Sequence, residues 1–331
     1  MPELPEVETI RNGLIPEVVG RRFLKANLLW PGQVRRPSPE EFRRDIVGRT
    51  VEGIRRRGKY LIFDLSGRLK LILHLKMTGC LLIRPSDAEP GPHTRAILYL
   101  DNSTSIHFLD QRKFGGMWLV QNENEIVGSL GPEPLDHAFG VDALRELLSK
   151  HDIPVKPLLC DQTIIAGIGN MYADEALFEA RIHPEKKTRK LTAKESERLY
   201  IAICHVLVEG IARCGASVST YQQPDGEPGF AHLFFQMAHR RGERCYRCET
   251  PIERIALRGR GTYFCPKCQK ARTPSGYSVS STIVTPSPPS HGMPVRKDFT
   301  HSCFGNQERT LALSVPVPFP WFTRTAVMPA Q

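Results

Sequence analysis

Residues 60–84, YLIFDLSGRLKLILHLKMTGCLLIR, set the architecture of the N-terminal half. Short runs rich in Ile and Leu alternate there with Gly, Asp and other turn-forming residues, a pattern typical of antiparallel strands. Similar runs follow at 96–100 (AILYL), 105–109 (SIHFL) and 116–120 (GMWLV). The succession predicts a sandwich or barrel of antiparallel strands.

The segment before these strands begins MPELPEVETI and is typical of a helix. Pro5 suits the first turn of a helix, and Val7, Ile10 and Leu14 recur at helical spacing, which gives one apolar face for packing. We therefore predict that residues 1–130 form an N-terminal β-sandwich domain with a leading helix.

Helical patterns replace the strand patterns over residues 131–235. DALRELLSK is amphipathic, and DQTIIAGIGNMYADEALFEARI predicts two helices interrupted at its GIG segment, where glycine backbone is most permissive. Thr192 followed by Glu195 forms a capping box ahead of a long periodic run. The range predicts a helical domain.

Two Cys-x-x-Cys pairs separated by 16 residues have the spacing of a four-thiolate zinc ribbon, and their members are Cys245, Cys248, Cys265 and Cys268. The intervening RIALRGRGTYF predicts a β-hairpin. Four thiolates leave no open coordination position, so the zinc is expected to be structural. The alternative, two disulfides, fits a reducing compartment less well. The remaining cysteines lack paired spacing and are interpreted as small apolar fillers: Cys80, Cys160, Cys204, Cys214 and Cys303.

The charge pattern favours a polyanionic partner. The 331 residues carry a net charge of +10, and residues 240–272 contain ten Lys and Arg against three Asp and Glu. Nucleic acid is the leading hypothesis and an anionic membrane the second. We expect no membrane association and a cytoplasmic, nucleoid-associated protein, because the sequence has neither a signal peptide nor an 18-residue apolar run.

The C-terminal part divides into a four-cysteine zinc finger, residues 236–270, and a Pro- and Ser-rich tail, residues 271–331. The tail holds nine of the 27 prolines and shows no sustained periodicity. This composition predicts disorder.

Five motifs in order resemble the formamidopyrimidine-DNA glycosylase family: MPELPEVET, RRRGKYL, DQRKFGG, DQTIIAGIGNMYADEALF and the zinc ribbon. The resemblance spans about residues 1–270. It implies an α+β multidomain fold, in which an N-terminal β-sandwich, a helix-two-turn-helix domain and a zinc finger hold damaged double-stranded DNA in a cleft. It also implies one structural Zn²⁺, and we expect a monomer.

The family chemistry assigns catalytic roles to five residues. Removal of Met1 would leave Pro2 with a secondary amine that can attack the sugar C1′, expel the base and form a Schiff base. The resemblance gives Glu3 the role of acid and Glu6 a supporting role in proton transfer. Lys59 matches the β-elimination lysine, and Arg260 the finger arginine that binds phosphate and assists δ-elimination.

Six further residues match DNA contacts of the family. A base-flipping enzyme must fill the gap that the nucleotide leaves. Two apolar side chains and one guanidinium do so in the family, and they match Met77, Phe114 and Arg112. The remaining matches are backbone contacts: His93, Asn170 and Tyr172.

The segment GASVSTYQQPDGEPG, residues 215–229, matches the position of the family's base-capping loop, and we call it the base-capping segment. The sequence departs from the family pattern at several positions: Lys76 where HLGMTG has Gly, Cys80 where a small residue is usual, Ser217 and Ser219 in the base-capping segment, and Ala238 where Tyr is frequent. The leading hypothesis is a bifunctional glycosylase and abasic-site lyase that removes 8-oxoguanine and formamidopyrimidines. The alternatives are an endonuclease VIII-like enzyme for oxidised pyrimidines and a noncatalytic zinc-ribbon DNA-binding protein.

Overall fold

The computed structural model describes residues 1–270, and the predicted tail, residues 271–331, lies outside the described residues. The helices are α1 (Leu4–Val18), α2 (Pro39–Ile46), α3 (Asn124–Val127), α4 (Val141–Ser149), α5 (Val155–Leu159), α6 (Asn170–Glu179) and α7 (Ala193–Ala212). The strands are β1 (Phe23–Asn27), β2 (Val34–Arg36), β3 (Val51–Arg57), β4 (Tyr60–Leu65), β5 (Leu69–His74), β6 (Gly79–Pro85), β7 (Thr94–Leu100), β8 (Thr104–Asp110), β9 (Gly116–Val120), β10 (Glu253–Leu257) and β11 (Arg260–Phe264).

Two sheets face each other in the N-terminal part and confirm the predicted sandwich. One has the order β1-β7-β8-β6 and the other β2-β9-β5-β4-β3. Alternate residues of each strand point between the sheets, so Leu61, Phe63 and Leu71 of one sheet share a buried core with Leu98 and Phe108 of the other. All pairs are antiparallel except β2 with β9, which run parallel.

Helix α1 joins the sandwich to the helical layer, which consists of α4, α5, α6 and α7. Val7, Ile10 and Leu14 are fully buried in the sandwich core, as the periodicity predicts. Leu4, one turn earlier, belongs instead to the helical core. Since α1 packs against both β3 and α7, its first turn lies where the two cores meet.

The helical layer departs from its prediction at residues 161–169, which form turns and not a helix. The Gln162 side chain binds backbone groups of this segment. Its Nε2 donates to the Ile168 carbonyl at 2.8 Å, and its Oε1 accepts from the Gly167 amide at 2.9 Å. Gly167 has φ +94°, a left-handed conformation that ends helical geometry. The two helices around the turns are therefore α5 and α6.

The capping box ahead of α7 is confirmed. The Glu195 amide donates to Thr192 Oγ1 at 3.3 Å, and the Thr192 amide donates to Glu195 Oε2 at 2.8 Å. Both orphan donors at the start of this 20-residue helix are thereby satisfied.

The predicted finger hairpin is confirmed as β10 paired antiparallel with β11. Arg258 and Gly259 connect the strands with φ of +47° and +75°, the two positive values that a type I′ turn requires. Beside the cysteines, buried Gln269 donates to the Ile182 carbonyl at 2.9 Å. This contact fastens the finger to the helical layer.

Across residues 1–270, every helix is too short or too polar to span a bilayer.

Candidate active site and zinc centre

Glu3 lies at the amino end of α6. It is buried, and its carboxylate accepts hydrogen bonds from the Met171 amide at 2.9 Å and the Tyr172 amide at 3.4 Å. A Cβ at Gly169 would lie 2.2 Å from Glu3 Cδ, so only glycine allows this approach. Amides at a helix N-terminus favour an anion, and this geometry holds the carboxylate in one orientation.

Glu6 lies one turn further along α1 and is also buried. Its carboxylate accepts from the Tyr172 hydroxyl at 2.9 Å, the Ala216 amide at 2.8 Å and the Glu3 amide at 2.7 Å. Burial, followed by the charge of Glu3, raises the pKa of Glu6 to about 7, although the three donors act in the opposite direction. A carboxyl group with this pKa can both give and take a proton near neutral pH.

Lys59 lies in the two-residue turn between β3 and β4, and only 5% of its surface is exposed. Burial lowers the pKa of its ammonium, against the charges of Glu3 and Glu6, which favour the protonated form. The three side chains are thus electrostatically coupled inside the protein. A buried amine with a lowered pKa is more readily neutral, and therefore more readily a base or nucleophile.

The arginines beside Lys59 have a structural role that the sequence did not reveal. Arg56 forms ion pairs with Glu8 at 2.7 Å and with Glu133 at 2.6 Å, and Arg57 reaches Glu133 at 3.3 Å. The Gly58 amide also donates to Glu133. These contacts fix the three residues before Lys59, whose arginine side chains bind Glu8 and Glu133 while the Lys59 side chain is buried.

Arg260 is the first residue of β11 and is exposed. The carbonyl of Gly261, the next residue, accepts a hydrogen bond from Asn170 at the start of α6 at 3.0 Å. The start of β11 therefore lies beside the amino end of α6, where the Glu3 carboxylate is bound.

The base of this hairpin is anchored by a buried ion pair. Lys156 lies 2.7 Å from Asp174, and both side chains are almost completely buried. Lys156 also donates to the Gly261 carbonyl at 3.1 Å and to Thr262 Oγ1 at 2.9 Å, while Asp174 accepts from the Tyr263 amide at 3.2 Å. These contacts fix the start of β11 and thereby the position of Arg260.

The three predicted gap-filling residues are exposed and close together. Met77 and Phe114 are 39% and 49% exposed, although large apolar side chains are usually inside. The Arg112 guanidinium lies 4.7 Å from the centre of the Phe114 ring. We call Met77, Arg112 and Phe114 the wedge.

Asp110 joins the two loops of the wedge and was missed by the sequence reasoning. It is fully buried, and it accepts from Thr78 Oγ1 at 2.5 Å, the Arg112 amide at 3.2 Å and the Gly115 amide at 2.7 Å. Since Thr78 follows Met77, one carboxylate holds both loops. Its place at the start of DQRKFGG was the available signal.

The other predicted DNA contacts occupy different environments. His93 is exposed at the end of the loop before β7. Asn170 donates to the Gly261 carbonyl at 3.0 Å, so it also supports the finger hairpin. Tyr172 is buried with its hydroxyl on Glu6, and its side chain faces the interior and not the surface.

Pro2 is buried directly before Glu3, and Met1 precedes it with 42% exposure. Burial, together with the charge of the amino terminus, lowers the pKa of His239. The Leu4 amide donates to the Gly167 carbonyl at 3.0 Å, so the first residues of the chain lie beside the turn before α6, where Glu3 is bound.

The base-capping segment is tied at both ends. The Ala216 amide donates to Glu6, and Ser217 bonds to the Tyr221 carbonyl and the Gly229 amide, both at 2.8 Å. Further along, the Pro224 carbonyl accepts from the Ile83 amide at 2.7 Å. Ser219 is exposed in the span between these attachments.

The four predicted zinc ligands converge. Their Sγ atoms all lie within 4.8 Å of one another, with Cys245 to Cys268 at 3.9 Å and Cys248 to Cys265 at 3.4 Å. Tetrahedral coordination at the usual Zn–S distance separates sulfurs by about 3.8 Å, whereas a disulfide needs about 2.05 Å. The cluster therefore fits one structural Zn²⁺ and excludes disulfides between these pairs.

Comparison with known families matches three consecutive parts of the chain. Residues 1–117 match the formamidopyrimidine-DNA glycosylase N-terminal domain, residues 130–222 the H2TH domain of the same glycosylase, and residues 242–271 a zinc finger found in FPG and IleRS.

Curated relatives and solved structures agree with these matches. The chain is 44% identical over 273 residues to the formamidopyrimidine-DNA glycosylase of Desulfitobacterium hafniense, covering 81% of this chain and 100% of that protein. A Lactococcus lactis FPG mutant in complex with a Fapy-dG containing DNA superposes with a TM-score of 0.77 and 36% identity, over 82% and 100% of the chains. MutM (FPG) from Thermus thermophilus gives 0.74 and 42%, over 81% and 98%.

Proposed function

The chain belongs to the formamidopyrimidine-DNA glycosylase family, and on that premise we propose that it is a bifunctional DNA glycosylase and abasic-site lyase that removes oxidised purines. Substrate class is supported by the neighbours: one solved complex contains Fapy-dG DNA, and MutM with carbocyclic 8-oxo-G containing DNA superposes with a TM-score of 0.76 at 34% identity, over 82% and 100% of the chains. Formamidopyrimidines and 8-oxoguanine are the proposed lesions.

One observation carries the proposal: Glu3, Glu6 and Lys59 are buried together beside the chain terminus. Burying three ionisable groups without use would cost folding free energy. Their placement beside a terminal amine supplies an acid, a group that titrates near neutral pH and a base of lowered pKa. An amine nucleophile can use such groups for the proton transfers of covalent catalysis.

In the proposed reaction, the Pro2 nitrogen of the processed chain attacks C1′ of the lesion nucleotide. The N–C1′ bond forms as the glycosidic bond breaks, and the bonding pair leaves with the base, which takes up a proton. The attached amine passes its proton to the Glu3 carboxylate, and Glu3 delivers this proton to the ring oxygen O4′. The C1′–O4′ bond then opens as the nitrogen lone pair forms the C1′=N bond of an iminium. Its positive charge acidifies the C2′ proton for elimination.

The remaining residues serve elimination and binding. Lys59 and Glu6 are placed to move protons during β-elimination, and Tyr172 positions Glu6 through its hydroxyl. Arg260 would bind the phosphate beside the lesion and assist δ-elimination, while His93 and Asn170 would contact the DNA backbone. The wedge would fill the gap left by the flipped nucleotide, with Arg112 pairing to the orphaned base. We propose a monomer that acts in the cytoplasm.

The experiment is borohydride trapping on an 8-oxoguanine duplex, with an oxidised-pyrimidine duplex in parallel. We expect a covalent band from the processed protein, forming faster on 8-oxoguanine. An uncleavable N-terminal extension should abolish the band because it blocks the amine, whereas the same extension at the C-terminus should not. Full trapping with the blocked terminus would assign the nucleophile to Lys59, and faster trapping on the pyrimidine duplex would overturn the proposed lesion class.

A further inference from the structure

A lysine in left-handed backbone conformation directly precedes each apolar residue of the wedge. Lys76, before Met77, has φ +52°, and Lys113, before Phe114, has φ +60°. This conformation is uncommon for residues other than glycine and costs free energy. We call Lys76 and Lys113 the wedge lysines.

The surrounding contacts prevent these loops from relaxing. The Lys76 amide donates to His74 Nδ1 at 2.9 Å. On either side of Lys113, the amides of Arg112 and Gly115 are bound by Asp110. Backbone strain persists only where neighbours hold it in this way.

Within the described part of the chain, neither wedge lysine has a salt-bridge partner. The Lys113 ammonium lies 5.5 Å from the centre of the Trp30 ring. Within residues 1–270, the lysine salt bridges belong to other positions: Lys70, Lys150, Lys156, Lys186 and Lys187. Two held, unpaired cations therefore flank an exposed apolar pair.

Lys76 also lies on the side of the buried amine. Burial, followed by the charges of Lys76 and Lys59, lowers the pKa of His74 to about 3. Both ammonium groups thus act on the same imidazole at the end of β5.

We propose that Lys76 and Lys113 bind backbone phosphates where the wedge enters the duplex, and so hold the DNA against Met77 and Phe114. The inference rests on the proposed function, because it takes damaged DNA as the ligand. An apolar wedge that unstacks bases must be held in place against the strain of the bent duplex, and phosphate contacts set that register.

The test replaces each wedge lysine with glycine, singly and together, and measures affinity for a duplex containing a tetrahydrofuran abasic-site analogue as a function of salt. Each lost phosphate contact should make the log–log slope shallower by about 0.9 and weaken binding roughly tenfold near 0.1 M salt. The double variant should lose about 1.8 from the slope.

Arg68→Gly is the matched control. Arg68 is exposed with φ +63°, and it precedes the opposite end of β5 from His74. This substitution removes the same charge and relieves the same backbone conformation, so it should leave slope and affinity at the wild-type values. The thermal midpoints of the lysine-to-glycine variants should not fall below that of Arg68→Gly. If they do, the double variant Lys76→Gln with Lys113→Gln is used in place of the double glycine variant.

A wild-type slope in the double variant, in either its Gly or its Gln form, would overturn the assignment. Trapping of the wild-type protein is measured separately. If the wild type binds the duplex but never traps, the proposed chemistry fails, while the change in slope still decides whether the lysines contact phosphate.

Discussion

Glu6 shows how a single residue acquires its chemistry from distant partners. Its donors come from Glu3 in the same helix, from Tyr172 in α6 and from Ala216 in the base-capping segment. Complete burial beside another carboxylate outweighs these three bonds and leaves its pKa at about 7. The residue that matched the family only in a supporting role is therefore the one suited to proton exchange at neutral pH.

This raised pKa predicts a pH-dependent stability. The folded protein holds the Glu6 proton more tightly than the unfolded chain, whose value is 4.5, so the contribution of Glu6 is most favourable at low pH and is lost as pH rises from 4.5 through about 7. Glu6→Gln should remove about 3 kcal/mol of this decline, measured by urea unfolding at pH 5 and pH 8. Glu17→Gln, at an exposed position of α1, is the control. Parallel wild-type and Glu6→Gln curves would contradict the burial argument.

At the scale of secondary structure, α6 organises the site along its length. Its amino end holds Glu3, and Asp174 in its middle holds the finger hairpin. Next to it, Glu175 accepts from the amides of Gln236, Met237 and Ala238 at 2.8 to 2.9 Å. One ten-residue helix thus sets the positions of the buried acid, of Arg260 and of the segment leading into the finger.

Zinc removal tests whether the metal holds the finger hairpin in its folded form. Its own buried core consists of a few side chains, among them Met237 and Ile252 with the cysteines. Without the metal this cluster cannot hold the hairpin, because the four zinc–sulfur bonds are lost and four free thiols remain. We expect chelation to speed hydrogen exchange in β10 and β11, to leave exchange in β4, β5 and α7 unchanged, and to weaken binding to a lesion duplex. Re-addition of Zn²⁺ should restore both properties, and unchanged affinity after complete metal loss would count against the finger's role.

At the scale of the whole molecule, the site occupies the junction of separately buried cores. The sandwich supplies Lys59 and the wedge, the helical layer supplies the amides for Glu3, and the finger supplies Arg260. Helix α1 crosses between the first two, and its opening residues carry both carboxylates. The geometry of the proposed active site therefore depends on how these parts pack together.

Deleting residues 271–331 tests whether this docked unit is sufficient for activity. Every proposed site residue lies between Pro2 and Cys268, and 273 residues of this chain cover the entire Desulfitobacterium hafniense relative. The shortened protein should keep kcat/KM on a lesion duplex within about twofold of the full chain, a change below 0.5 kcal/mol. A tenfold loss on naked DNA would assign the tail a part in binding or catalysis.

Local patterns in the sequence determined much of this protein. The six strands from β4 to β9, the first helix and the capping box of α7 follow from the spacing of apolar and polar residues along short stretches. The four zinc ligands follow from two Cys-x-x-Cys pairs. These features could be predicted because period, turn chemistry and chelate spacing depend on residues near one another in the chain.

Only the tertiary structure decided the character of the site. The motif RRRGKYL does not distinguish Lys59 from its arginines, and it is Glu133, more than 70 residues away, that binds the arginines. The Lys156–Asp174 pair carries no recognisable local pattern. Gln162 binds the backbone of a loop where a helix was expected. Burial, hydrogen-bond supply and pKa arise from groups brought together by folding, as when Ala216 reaches Glu6 across 210 residues. Such proximity cannot be predicted from the spacing of residues along the chain, because it arises from the packing of the folded core, which brings distant residues together.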